Sequence, residues 1–144
     1  MPRRLRHALP PHIHPLQCHF YITQCALPRN RPTLIPVADD LVLSIRHYHQ
    51  IQRWFCHAHV IMPDHLHLLI EPCPDRSIGA LMRTWKSYTA KKLLIRWQDD
   101  FFDHRLRSDE SAAEKARYME LNPVRANLVQ NPEEWKWFGY GAPW

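Results

Sequence analysis

The chain has 144 residues, 45% of them hydrophobic and 23% charged, enough for one domain with its own core and unlike a disordered tail. A formal net charge of +5, with 11 histidines uncounted, favours a polyanionic partner, nucleic acid above all. Four cysteines without a C-x-x-C pair argue against a zinc cage or a disulfide framework.

Residues 1–16 are basic and rich in Pro and His, without periodicity. They read as a flexible arm whose Arg3, Arg4 and Arg6 are candidates for contact with a phosphate backbone. His12 and His14 have H-x-H spacing, but on a Pro-flanked segment ill suited to hold a metal. The arm lacks the apolar stretch of a signal peptide, and no apolar run nears the roughly 20 residues of a membrane span. A cytoplasmic, nucleoid-associated protein without membrane contact is expected, with residues 17–144 as one domain.

Cys18 to Cys25 reads as a first strand, and Pro28 to Pro36 as a loop. A helix follows over about 37–52, with Leu41, Ile45 and Tyr48 on one stripe. Trp54 to Met62 is a second strand, and a Pro63-Asp64 turn leads into a third, His65 to Glu71. His65 and His67 then share one face, while Leu66, Leu68 and Ile70 share the other. A two-residue turn pairs Met62 with His65 and Val60 with His67. That register puts His57 and His59 on the opposite face, unless a bulge flips them.

Ser77 caps a long helix to about Arg96, with Ile78, Leu81, Met82, Trp85 and Thr89 inward. Phe101 to Leu106 reads as a fourth strand, with His104, Arg105 and Arg107 at or beyond its end. Ser108 opens a third helix, Ser111 and Glu114 resemble a capping box, and Asn122-Pro123 ends or kinks the helix. The remainder reads as a short helical turn and a Trp-rich tail packed on the body. The first six elements give a ferredoxin-like βαββαβ, α+β fold: a four-stranded antiparallel sheet backed by helices, with an additional C-terminal helix.

On that last helix Ala112, Ala116 and Met119 form an apolar stripe for docking on the sheet. Beside it lie Lys115, Tyr118 and Asn122, the last two at i and i+4. Two imidazoles one strand repeat apart suit a divalent metal, and a phenol and an amide one turn apart can both reach it. Tyrosine, with an ordinary pKa of about 10, is a poor nucleophile unless a cation withdraws charge from the phosphate it attacks. Neutral nitrogen and oxygen ligands suit Mg²⁺ or Mn²⁺, the mixed set leaning to Mn²⁺. Alternatives stand beside each assignment. Tyr118 can be a packing aromatic, Asn122 can cap the next turn ahead of Pro123, Tyr88 is a rival phenol, and Arg125 is a phosphate contact or a solvated side chain.

The H-L-H of residues 65–67, preceded by V-I-M-P-D and followed downstream by A-R-Y-M-E-L-N-P-V-R-A-N-L-V, resembles the single-tyrosine HUH transposases. The resemblance is closest to the REP-associated tyrosine transposases and spans roughly residues 17–140. It implies that His65, His67 and Asn122 bind the metal and that Tyr118 cuts single-stranded DNA. A 5′-phosphotyrosine and a free 3′-hydroxyl would result, with hairpins from repetitive palindromes as substrate. The F-F-D-H-R-L-R run at 101–107 also resembles the family and places His104 and Arg107 near the DNA. The first strand, Q-C-H-F-Y-I-T-Q-C, departs from it in lacking the Gly-Thr that many members carry before the aromatic. Both a monomer and a homodimer are compatible with the resemblance. The competing reading is a non-catalytic module that binds single-stranded nucleic acid by stacking and charge; a hydrolase using the same metal is weaker, since no carboxylate base stands out.

Overall fold

The computed structural model describes residues 19–107 and 110–141. Arg3, Arg4 and Arg6, the His12/His14 pair, Cys18 and Ser108 lie outside the described residues.

Alternation of Phe20, Ile22 and Gln24 with Tyr21, Thr23 and Cys25 makes β1 (Phe20–Cys25) a strand with one fully buried side. After a 3-10 turn at Ile35–Val37, α1 (Ala38–Gln50) carries Asp39 and Asp40 in its first turn, where acidic side chains suit the helix dipole. It buries Leu41, Ile45 and Tyr48. β2 (Trp54–Ile61) and β3 (His65–Pro72) form a hairpin. α2 (Ile78–Leu93) starts where the Ser77 hydroxyl accepts the Ala80 N–H at 3.0 Å, and buries Ile78, Leu81, Met82, Trp85 and Thr89. β4 (Phe102–Arg105) closes the βαββαβ unit.

The strands are ordered β4-β1-β3-β2 and then β5 (Phe138–Tyr140), with every pairing antiparallel. The first four strands are in the ferredoxin-like order, and β5 is an addition the sequence reading left inside the tail. Gly141 permits it. A Cβ there would lie 1.4 Å from the Cys56 carbonyl oxygen, so only glycine lets the chain leave β5 with its N–H donated to the His57 carbonyl at 2.7 Å.

α1 and α2 cover one face, where Phe20, Ile22, Leu66, Leu68 and Ile70 meet Leu41, Ile45 and Trp85. The opposite face carries a smaller cluster of Ala58, Val60, Met62 and Leu69 under α3 (Ala112–Glu120), which supplies Ala116 and Met119. α3 begins later than expected. Ser111 is its N-cap, its hydroxyl accepting the Glu114 N–H at 3.2 Å, so the helix does not open at Ser108. A four-residue helix, α4 (Asn122–Arg125), follows with Pro123 buried.

The hairpin register is Val60 against His67, with the Met62 N–H on the His65 carbonyl at 2.7 Å. It shifts between Cys56 and Ala58. This bulge turns His57 onto the face of His65 and His67, correcting the expectation that His57 and His59 face away together; only His59, paired with Leu68, does so. The described cysteines, Cys25, Cys56 and Cys73, are free. Among the described residues no helix is long and apolar enough to cross a membrane.

Candidate active site

The β2–β3 turn places the two histidines. Its tip is pinned by the Ala26 N–H on the Asp64 carbonyl at 2.8 Å and the Leu34 N–H on the Pro63 carbonyl at 2.9 Å. The two rings stand edge to face with centroids 4.9 Å apart. His65 Nδ1 lies 2.8 Å from Asp64 Oδ1. A carboxylate can only accept, so the proton sits on Nδ1 and the Nε2 lone pair is left for a cation. The other carboxylate oxygen, Oδ2, accepts from Arg29 Nε at 2.9 Å and the Asn30 N–H at 2.7 Å. Burial works to raise the Asp64 pKa, but the bonds from His65, Asn30 and Arg29 outweigh it and hold the group at about 2.

His67 is anchored in the same way by hydroxyls. Its Nδ1 lies 2.9 Å from Thr23 Oγ1 and 3.0 Å from the Tyr21 hydroxyl, and the Tyr21 ring is nearly parallel to its own. Burial, then the neighbouring His65, Arg125 and Lys115, push the His67 pKa down to about 3 against a smaller opposing bond to the Ile22 backbone, so the ring is neutral. A neutral imidazole anchored at Nδ1 is what a metal ligand requires. Burial and the nearby Tyr118 push the Tyr21 phenol up to about 12, against smaller opposing effects of Arg125 and Thr23.

α3 lies over this face. Its Ala112, Ala116 and Met119 pack on the sheet, which turns Tyr118 outward at 52% exposure. The Lys115 ammonium sits 4.7 Å from the Tyr21 ring centre and 5.7 Å from that of Tyr118, so the two phenols flank one cation. Arg125 organises the other side. Its guanidinium stacks 3.6 Å from the Tyr118 ring centre and donates to the Tyr118 carbonyl and to Asn122 Oδ1, both at 3.1 Å. Asn122 is the first residue of α4, whose N-cap is Leu121, so it does not occupy the capping position the sequence allowed. Its oxygen is held by Arg125, so ligation of a metal would exchange that bond.

Tyr88 is on α2, across the sheet from the histidines, stacked on Tyr48 at 6.2 Å. His104, opposite Tyr21 on β4, bonds through Nε2 to Glu110 at 3.0 Å, and the same carboxylate accepts the Arg107 N–H at 2.6 Å. Arg105 is opposite Phe20 and so belongs to the other face. Phe102, 75% exposed, pairs with Thr23 and so shares a row with His67. It borders a groove of about 780 Å³ that also takes in Thr23, Cys25, Arg83 and Lys86. Sequence reasoning missed Asp64, Thr23 and Tyr21 as supports of the histidines. The signal for Asp64 was its position directly before His65; for the other two it was the alternation of β1.

Sheet order, paired-histidine hairpin and overlying helix define a ferredoxin-like fold of the transposase kind. Residues 16–107, well over half of the chain, match the family model described as "Transposase IS200 like", and the chain belongs to that family. Among solved structures, one described as a REP-associated tyrosine transposase bound to a REP hairpin is similar at TM-score 0.73 and 21% identity, over 85% of this chain and 76% of that one. Another, assigned as a transposase of Deinococcus radiodurans R1, is similar at TM-score 0.57 and 17% identity, over 78% and 94%. At these identities the likeness is one of fold. No match is found among curated proteins. The matched family segment ends before α3, so the case for Tyr118 and Asn122 rests on motif resemblance and geometry.

Proposed function

We propose that this transposase nicks and rejoins single-stranded DNA hairpins through Tyr118, acting within one chain. Its divalent cation, Mg²⁺ or Mn²⁺, would be held by His65, His67 and, on release from Arg125, Asn122. The observation that carries the reading is that Tyr118 and His67 belong to one connected constellation: Lys115 lies between the two phenols, and the inner phenol is bonded to His67. The REP hairpin in the similar structure supports the substrate class.

Of the two phenols, Tyr21 is unsuited to attack. It is half-buried, engaged on His67 and pushed up to about 12. Tyr118 is open to a strand laid on the face. The Tyr118 oxygen bonds to phosphorus, the P–O3′ bond breaks, the phenol proton passes to solvent and the leaving 3′-oxygen takes one from it, so that a 5′-phosphotyrosine and a free 3′-hydroxyl remain. In the return step a 3′-hydroxyl attacks and Tyr118 leaves. When bound, the cation supplies charge withdrawal from the scissile phosphate oxygens. Arg125 fixes the Tyr118 ring, Lys115 offers charge to the phosphate, and exposed Phe102 offers a base-stacking surface. His104, Arg107 and the Arg3, Arg4, Arg6 arm are proposed as backbone contacts, whereas Arg105, on the other face, is not.

A hairpin oligonucleotide tests this directly. With Mn²⁺, a 3′-labelled hairpin yields a labelled protein adduct on a denaturing gel, whereas a 5′-labelled one yields a free shorter fragment. The adduct is lost in Tyr118→Phe and His67→Ala. Tight hairpin binding without any adduct from the native chain would leave only the non-catalytic binding module.

A further inference from the structure

His19, His57 and Glu71 stand on one row of the open face, at the end of the sheet away from His65 and His67. His19 precedes β1, Glu71 is near the end of β3, and His57 is the residue that the β2 bulge turns onto this face. β2, β3 and the residue leading into β1, which is adjacent to β3, thus contribute one metal-ligating side chain each. Glu71 is four residues from His67, about 13 Å along a strand, so the two groups are separate.

The nitrogens converge on one oxygen. His57 Nε2 is bonded to Glu71 Oε1, and His19 Nε2 lies 3.4 Å from the same atom, with the two ring centroids 4.6 Å apart. Donor atoms on a tetrahedral zinc ion lie about 3.3 Å apart, given its bonds of about 2.0 Å. The Phe55 ring, 4.7 Å away, backs the His57 ring. Glu71 supplies an independent observation. The residue is only 4% exposed, and its second oxygen, Oε2, has no hydrogen-bond partner among the described residues. A buried carboxylate oxygen without a partner is costly, and a cation removes that cost.

We propose that His19, His57 and Glu71 form a second divalent-metal site, a two-imidazole, one-carboxylate centre suited to Zn²⁺. The partial exposure of both histidines leaves its remaining position toward solvent. The ion joins the start of β1, the bulge of β2 and the end of β3. The inference is independent of the strand-transfer reading.

Its test uses the full chain carrying His65→Ala and His67→Ala, which removes the other histidine pair. Titration with Zn²⁺ against a chromophoric chelator, and metal counting after gel filtration, are expected to give one equivalent per chain. Adding Glu71→Gln or His19→Ala should weaken that binding by 100-fold or more, with circular dichroism verifying the fold. Absence of a stoichiometric equivalent in the doubly substituted chain would overturn the proposal. So would Zn²⁺ affinity that neither substitution at Glu71 or His19 alters.

Discussion

Asp64→Asn isolates the support of the histidine pair from the pair itself. The native carboxylate accepts on both oxygens, from His65 at one and from Arg29 and the Asn30 N–H at the other. An asparagine has one oxygen and one NH₂, so in either orientation the NH₂ faces a donor. Losing one charge-assisted bond costs about 1.5–3 kcal/mol, and the loosened His65 should lower Mn²⁺ affinity about 10–100-fold. The pH dependence follows from the same carboxylate. Its pKa falls from 3.8 to about 2 on folding, so its stabilisation is complete above about pH 4 and disappears as pH drops through 2. The Arg29 side chain is 45% exposed; after allowing for solvent screening the contribution is about 1–2 kcal/mol. Isothermal titration with Mn²⁺ gives the affinity, and urea unfolding from pH 2 to 7 gives the stability. Native-like Mn²⁺ affinity in Asp64→Asn would refute the account of how His65 is oriented.

Three further outcomes are expected. Tyr21→Phe should keep the fold but remove one hydroxyl from His67 Nδ1, weakening Mn²⁺ binding several-fold while Thr23 still holds the ring; an adduct abolished with metal affinity intact would instead make Tyr21 the nucleophile. Arg125→Ala should slow adduct formation about 10–100-fold because it unstacks Tyr118, while Mn²⁺ binding tightens because Asn122 Oδ1 is released and a cation near His67 is removed; a single-turnover time course and a Mn²⁺ titration measure the two effects. Gly141→Ala should cost at least about 2 kcal/mol, because its Cβ meets the Cys56 carbonyl at 1.4 Å and β5 must shift; a native melting temperature would contradict that packing.

Period-two alternation and the Pro63-Asp64 turn made the hairpin, its register and the shared face of His65 and His67 legible in the sequence. Helical spacing did the same for the docking stripe of α3, with Tyr118 beside it and not in it. The bulge at His57 was not legible, because nothing local says which residue a strand will crowd out, and the Gly141 N–H that bonds the His57 carbonyl comes from a distant part of the chain. β5 itself is three residues long and carries a glycine, too little for a strand pattern. The start of α3 was misplaced by three residues because Ser108 and Ser111 are both favourable cap residue types in the sequence, and the helix takes Ser111. The anchoring of His67 by Tyr21 and Thr23 required the β1–β3 register, a pairing distant in sequence.

Mass spectrometry of the covalent adduct tests the central claim most directly. After reaction of the native chain with hairpin DNA and Mn²⁺, nuclease and protease digestion should leave a nucleotide on the peptide containing Tyr118 and on no other. A nucleotide on Tyr21 or Tyr140, or strand cleavage with no protein-linked nucleotide, would contradict it.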